Sequence, residues 1–229
     1  MGFCCGGASK TTLQEPRIPP IKKIPSGASA KLDNQLIVYG DYFQSETRTI
    51  ITVLEYTKCK YSFNPIDVFQ GENENEEFLK INPLGQVPMI KDKDTLVIGN
   101  YSSQLQYIIK SFKLSNSKMS QLIPDDQEAQ IQMHLLWFQS IFRPCTQRFL
   151  KNKFSRESAF EPPAATNLQL SQIIDEFQNK ILPQINKALG TNMVQKYILR
   201  GIKEMSLIDI LYYNEVQTFL KLEISSKTL

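Results

Sequence analysis

The apolar positions of the first half of the chain come in short runs whose period keeps switching between that of a strand and that of a helix. Leu36-Ile37-Val38-Tyr39 is a continuous apolar run of strand length, which predicts a buried strand. Asp41-Tyr42-Phe43-Gln44 reads as a loop, and Ile50, Ile51, Val53 and Leu54 then take helical spacing, predicting a helix over 45–56. Residues 61–68 are broken by Pro65, which cannot donate to a ladder, so that strand belongs at a sheet edge. A short helix over 76–81 follows, with Glu72, Glu74, Glu76 and Glu77 near its N-terminal end, where the helix dipole favours negative charge. Residues 87–91 and 95–98 form two strands meeting across Asp92-Lys93-Asp94 as a hairpin. A helix over 102–112 closes this unit.

Beyond a Ser-, Asn- and Lys-rich linker at 113–120 the period is helical to the end of the sequence. Asp125 and Asp126 start a long helix that runs through Trp137 to about residue 153, interrupted or kinked at Pro144. Residues 167–189 carry Leu168, Leu170, Ile173, Ile174, Phe177, Ile181 and Ile185, a helix stopped by Gly190. The last helix covers 206–222. Ahead of all this, residues 1–34 hold Pro16, Pro19, Pro20 and Pro25 among Gly, Ser and Lys, a tail that cannot bury enough apolar surface to fold alone. The expected order is therefore tail, an α/β domain over 35–113, and an all-α domain over 120–229.

Composition narrows the function classes. At 229 residues, 41% hydrophobic and 21% charged, the chain is ordinary globular material. A net charge of +3 is too small for a protein whose affinity rests on neutralising nucleic-acid phosphates. Lys10, Arg17, Lys22, Lys23 and Lys31 against Glu15 give residues 1–31 a net +4, which leaves −1 for the rest. Cys4 and Cys5 are adjacent, and Cys59 and Cys145 stand alone, so neither a disulfide framework nor a zinc site is expected and a reducing, cytoplasmic setting fits. His134, the single histidine, sits among Met133, Leu135, Leu136 and Trp137 and reads as a structural residue of a helix interior. No apolar run reaches the roughly 18 residues that span a bilayer, and no apolar stretch of the secretory kind follows the N-terminus.

Two segments carry more than composition. In Asn82-Pro83-Leu84-Gly85-Gln86-Val87-Pro88, the Val87-Pro88 bond is of the only type that turns cis cheaply. A cis bond there would present the backbone of Val87 to a peptide-like ligand as an added strand would be presented. Gly201-Ile202-Lys203-Glu204-Met205-Ser206-Leu207-Ile208-Asp209 resembles the capping-box segment of the cytosolic glutathione transferases, in which a Ser or Thr caps a buried helix and an Asp three residues later bonds back. Together these segments resemble the cytosolic glutathione transferases. The long helix around Asp126, Gln127, Ala129 and Trp137 looks most like the theta class, and the likeness runs over about residues 35–222. It implies a thioredoxin-like N-terminal domain followed by an all-α C-terminal domain.

The resemblance also says what glutathione chemistry would need. A thiol with an ordinary pKa of about 8.5 must ionise near neutrality, helped by a helix N-terminus and a donated hydroxyl hydrogen bond. Theta-like enzymes place a serine four residues before an arginine on the first helix; here the arginine is Arg48 and that position is Gln44, with Ser45 beside it. Ser45 is the candidate thiol donor, set against its other role as helix N-cap. The Glu-Ser or Gln-Ser pair that holds the γ-glutamyl end corresponds to Asn100-Tyr101, while Gln86, Val87 and Pro88 remain as glutathione-binding candidates. Only 20 residues follow Asp209, so the helices that in the family pack behind this one and help wall the electrophile pocket are expected to be short or missing. No Cys-x-x-Cys opens the first helix, which argues against disulfide exchange.

These departures lead to the expectation of a non-catalytic transferase-fold protein serving as a structural or scaffold subunit through its tail. Two alternatives stand beside it: an active theta-like transferase joining glutathione to small electrophiles, and a glutathione-binding regulator. No cofactor or metal is expected, glutathione being a substrate or ligand. Gly2, Cys4 and Cys5 resemble an acylation site, myristate on the first and palmitate on the others, with Gly6 where the stricter pattern has Ser or Thr. The basic, proline-rich residues 1–31 suit an acidic partner, either a protein assembly such as a microtubule wall or an anionic membrane. A homodimer is among the partners the resemblance implies.

Overall fold

A computed structural model describes residues 36–154, 167–189 and 196–227. The tail with Gly2, Cys4 and Cys5, and the helix stop assigned to Gly190, lie outside the described residues.

The first half contains the four strands β1 (Leu36–Gly40), β2 (Tyr61–Pro65), β3 (Met89–Asp92) and β4 (Thr95–Val97). They form one mixed sheet in the order β2-β1-β3-β4, with β1 parallel to β2 and the other two pairings antiparallel. Pro65 ends β2 on the outer edge of the sheet, where its missing N–H breaks no ladder. The side-chain period of two divides the sheet's faces. Leu36, Val38 and Ile90 enter the main core beneath α1 (Ser45–Thr57) and α3 (Tyr101–Phe112), while Tyr39 and Met89 join Ile66 and Phe78 in a smaller cluster with α2 (Glu76–Ile81). Asn75 caps α2, its side chain accepting from Phe78 N at 2.7 Å. Gly40 ends β1 against Thr47 of α1, so close that an added Cβ would lie 2.6 Å from the threonine Oγ1.

Residues 113–120, expected as linker, contain part of a further helix, α4 (Ser117–Leu122). Asn116 caps it, accepting from Met119 N at 3.2 Å, and Met119 and Leu122 are both fully buried. Two apolar residues on one and a half turns leave no periodicity to read, which is why composition suggested a linker.

The second half is helical. After a 3-10 turn at 125–127 come α5 (Glu128–Trp137) and α6 (Arg143–Phe154), joined without a break by a π turn at Phe138–Phe142. The same device joins α7 (Asn167–Glu176) to α8 (Leu182–Leu189), with the π turn at Phe177–Ile181. Each π turn ends two residues before a proline, Pro144 or Pro183. A proline ring in a helix strikes the carbonyl four residues back; here those carbonyls belong to Ser140 and Asn179, each the middle residue of its π turn. The wider turn draws the carbonyl aside, and the helix passes through the proline instead of ending.

Helix α9 (Leu207–Lys227) packs against α1, so the sheet layer and the helices share one core. At its start Asp209 bonds back as the motif predicts, accepting from Ser206 N at 2.8 Å and Ser206 Oγ at 2.6 Å. Its other oxygen accepts from Ile198 N at 2.8 Å, pinning the irregular segment ahead of the helix. We expect Asp209→Ala to cost about 2 kcal/mol and Ser206→Ala about 1 kcal/mol in urea titration, because the aspartate holds three donors and the serine hydroxyl meets one of its oxygens. Equal losses for the two variants would show that the tether to Ile198 carries nothing.

Candidate functional site

A cleft of about 510 Å³ opens where the N-terminus of α1, the segment before β3, the start of α3 and the α5–α6 helix meet. Its walls include Gln44, Glu46, Gln86, Val87, Pro88, Asn100, Tyr101, Gln139 and Arg143. All five residues nominated from the sequence for glutathione binding are therefore gathered in one place.

The Val87-Pro88 peptide bond is cis. Val87 stands just outside the ladder, whose last β1–β3 pair is Tyr39 with Met89. The loop that delivers it is braced from both sides. Buried Asn82 donates to Gln86 O at 2.6 Å and accepts from Leu84 N at 3.2 Å, and Asn73 donates to the carbonyl of Gly85, whose φ of 60° suits glycine. From α3, Gln104 donates to Pro88 O at 2.6 Å and to Gly99 O at 3.1 Å. Sequence reading passed over Gln104; a glutamine at an otherwise apolar face of α3 was its one signal.

Asn100 is the N-cap of α3, accepting from Ser102 N at 2.9 Å and from Gln139 Nε2 at 3.2 Å. Its side-chain oxygen is thus engaged with the fold. Tyr101, the first residue of α3, is buried, and its hydroxyl makes no hydrogen bond among the described residues. Burial chiefly, then the charges of Glu46 and Glu215, push its pKa above that of an ordinary phenol, with Arg143 and Gln139 pulling the other way.

Ser45 is neither N-cap nor a lining residue of the cleft. The N-cap of α1 is Gln44, whose side chain makes no capping bond, and Ser45 is the first helical residue. Its buried hydroxyl donates to Glu215 of α9. Glu215, fully buried, also accepts from Thr146 and from Arg143 Nη1, the latter at 3.0 Å. Arg143 pairs through its other nitrogen with Glu46, forming a buried Glu46–Arg143–Glu215 triad that joins α1, α6 and α9. Burial raises the pKa of Glu46; the cation of Arg143 opposes this and the charge of Glu215 adds to it. Arg48 fastens the neighbouring loop, donating to Tyr42 O at 2.6 Å, Phe43 O at 2.7 Å and Asn214 O at 3.1 Å, and also to Thr218. The triad was not visible in the sequence, because single charges at 46, 143 and 215 look like those of solvated helix faces.

His134 is partly buried, its Nδ1 3.0 Å from the Tyr212 hydroxyl and its pKa lowered by burial, but its neighbours Met133 and Leu136, expected in a helix interior, are exposed. Cys145 is buried in the core, which pushes its thiol up to about 11. Among the described residues no cluster of side chains could hold a metal ion, and no helix is long and apolar enough to cross a membrane.

Comparison with known proteins agrees with this architecture. Residues 34–99 match the family model of the glutathione S-transferase N-terminal domain. Glutathione S-transferase F4 of Arabidopsis thaliana is 38% identical over 55 residues, 24% of this chain and 22% of that protein. Mouse glutathione S-transferase theta-3 is 23% identical over 118 residues, 52% of this chain and 48% of that protein. The chain thus spans about a fifth to about half of the length of the curated relatives it matches. Among solved structures, poplar glutathione transferase F1 superposes with a TM-score of 0.66 at 19% identity, covering 81% of each chain. Human glutathione transferase theta-2, solved with glutathione, superposes with a TM-score of 0.67 at 16% identity, covering 82% of this chain and 73% of that one. A thioredoxin-like mixed sheet leading into a helical second half gives the chain the fold of the glutathione transferases, and residues 34–99 match that family's N-terminal domain.

Proposed function

We propose that the cleft binds glutathione, its backbone laid beside Val87 as an added strand. One observation carries the reading. Of the five buried side-chain polar atoms without a hydrogen-bond partner among the described residues, three belong to lining residues of this cleft: Gln44 Oε1, Tyr101 Oη and Arg143 Nε. A buried polar group left unpaired costs about 1–3 kcal/mol, so three in one cleft favour a polar ligand that pairs with them. Donors at Tyr101 and Arg143 suit the anionic groups of a small peptide, and the acceptor at Gln44 suits an N–H. The glutathione bound to the human theta-2 protein, whose fold this chain shares, supports the choice of ligand.

Conjugation would follow if the bound thiol ionises, the thiolate sulfur attacking an electrophilic carbon while a leaving group departs. A second reading is favoured by position 44: Gln44 has no hydroxyl to give a thiolate, and Ser45 is bonded to Glu215, which supports a non-catalytic subunit attached through residues 1–31. One experiment separates these. The full chain is expected to be retained on immobilised glutathione and released by free glutathione. Turnover of a small aryl halide makes it a transferase and retention without turnover a glutathione-binding regulator; failure of both overturns the proposal in favour of the scaffold subunit.

A further inference from the structure

A second cavity lies in the helical half and shares no lining residue with the cleft. It holds about 300 Å³ where α5, α8, the segment at Arg200 and α9 meet. Its inner wall is apolar and complete in itself. The Tyr212 hydroxyl lies 3.0 Å from His134 Nδ1, so these two polar groups satisfy each other, and the Trp137 ring packs beside Tyr212 with centroids 5.7 Å apart. Buried Ile185 adds a wall from α8. Among the described residues, none of the buried polar atoms that lack a partner belongs to this cavity, in contrast to the cleft. The exposed lining residues have the opposite character. Lys187 and Arg200 are both cations, no carboxylate lines the cavity, and neither cation enters an ion pair among the described residues.

The two kinds of wall specify two parts of one ligand. An inner wall whose polar groups are already paired gains from apolar surface and offers nothing to a buried amide or carboxylate. Two unpaired cations at the mouth gain from an anion, which they hold by charge-assisted hydrogen bonds. We infer that this cavity binds a medium-chain carboxylate, its hydrocarbon against Trp137, Tyr212 and Ile185 and its head group at Lys187 and Arg200. The volume sets the length: at about 30 Å³ for each water-sized group, the cavity takes about ten of them, a chain of about ten carbons. Glutathione does not fit this description, because it is polar along its whole length and would bury peptide groups against a wall that has no partner for them. The site is therefore a second one, and it stands whether or not the cleft binds glutathione.

Trp137 is the only tryptophan of the chain, so its fluorescence reports on this cavity directly. The full chain is titrated with decanoate, with decanol, which has the same body and no charge, and with acetate, which has the head group and no body. Decanoate is expected to change the Trp137 emission in a saturable way, decanol about tenfold more weakly, and acetate not at all. Arg200→Gln and Lys187→Gln, both at exposed positions, are each expected to weaken decanoate about fivefold and to leave decanol unchanged. Ala188→Phe, which puts a ring into the cavity, is expected to abolish the response to both. Excess glutathione is expected to leave the decanoate Kd unchanged. An emission that decanoate does not move, equal Kd values for decanoate and decanol, or indifference to both cation variants overturns the inference. Displacement of decanoate by glutathione also overturns it, since the carboxylate then sits in the cleft. A Trp137 emission that changes with protein concentration alone, together with a doubled mass in sedimentation, gives this face to a second copy of the chain and overturns it as well.

Discussion

Arg143→Met is expected to destabilise the protein by about 3–5 kcal/mol, the largest loss available from a single polar substitution here. The guanidinium lies between the carboxylates of Glu46 and Glu215, three side chains drawn from α6, α1 and α9 and all almost wholly out of water. Removing it leaves two carboxylates facing each other, with Ser45, Thr146 and the Glu46 backbone among their remaining donors. A methionine fills the space and restores none of the charge. The loss should depend on pH in a definite direction. Glu46 already holds its proton above the usual carboxylate range, and without Arg143 it holds it more tightly still. Its folded pKa is then raised above the unfolded value near 4.5, so its contribution to stability is present in full below that value and is lost as pH rises through the folded pKa. The deficit of Arg143→Met, read from urea midpoints, should therefore shrink on acidification. Adding Glu46→Gln should recover part of it at pH 8. A deficit under about 1 kcal/mol at pH 8, or one that does not change with pH, would mean that the triad is not held together by its charges.

Phe219→Ala should cost about 3–5 kcal/mol by a different route, the loss of packing. Phe219 stacks on Phe177 with ring centroids 3.8 Å apart and planes 17° from parallel, and Phe149 lies 4.6 Å away on another side. All three rings are buried, and they come from α9, the second π turn and α6. Truncation opens a cavity between three elements that are tied elsewhere and cannot close together over it. Phe219→Leu keeps most of the volume and should cost under half as much. Thermal or urea unfolding of the two variants checks this. A loss for Phe219→Ala no larger than that for the leucine variant would place the aromatic stack outside the stabilising core.

What could be read in advance follows from how local each feature's cause is. The order of strands and helices, the edge position of the Pro65 strand and the segment ending at Pro88 rest on neighbouring residues, and each could be read from its own few positions. The π turns lie at the limit of legibility. Buried Ile173, Phe177, Ile181 and Ile185 recur every four residues, and at about 100° per residue each such step advances about 40° around a regular helix. Over three steps the row would leave the core face, and the wider turn at 177–181 takes up part of that drift. The spacing of four, followed by Pro183, was the available signal. In the cleft, Gln86, Val87, Pro88, Asn100 and Tyr101 were legible because a family motif fixes their places. Glu46, Arg143 and Glu215 were not, because their meaning lies in a meeting of positions up to 169 residues apart, from 46 to 215, about which a one-dimensional pattern is silent.

The Arg48 contacts carry one further consequence. The same guanidinium holds the carbonyls of Tyr42 and Phe43, in the loop that sets Gln44 at the cleft, and Asn214 and Thr218 on the last helix. The loop and α9 are thereby joined into one cooperative unit: neither opens locally without releasing the other's partners. A ligand that touches the loop alone is then expected to slow those amide exchange events in α9 that require this unit to open, by up to the factor 1 + L/Kd for free ligand concentration L, although among the described residues α9 lends the cleft none.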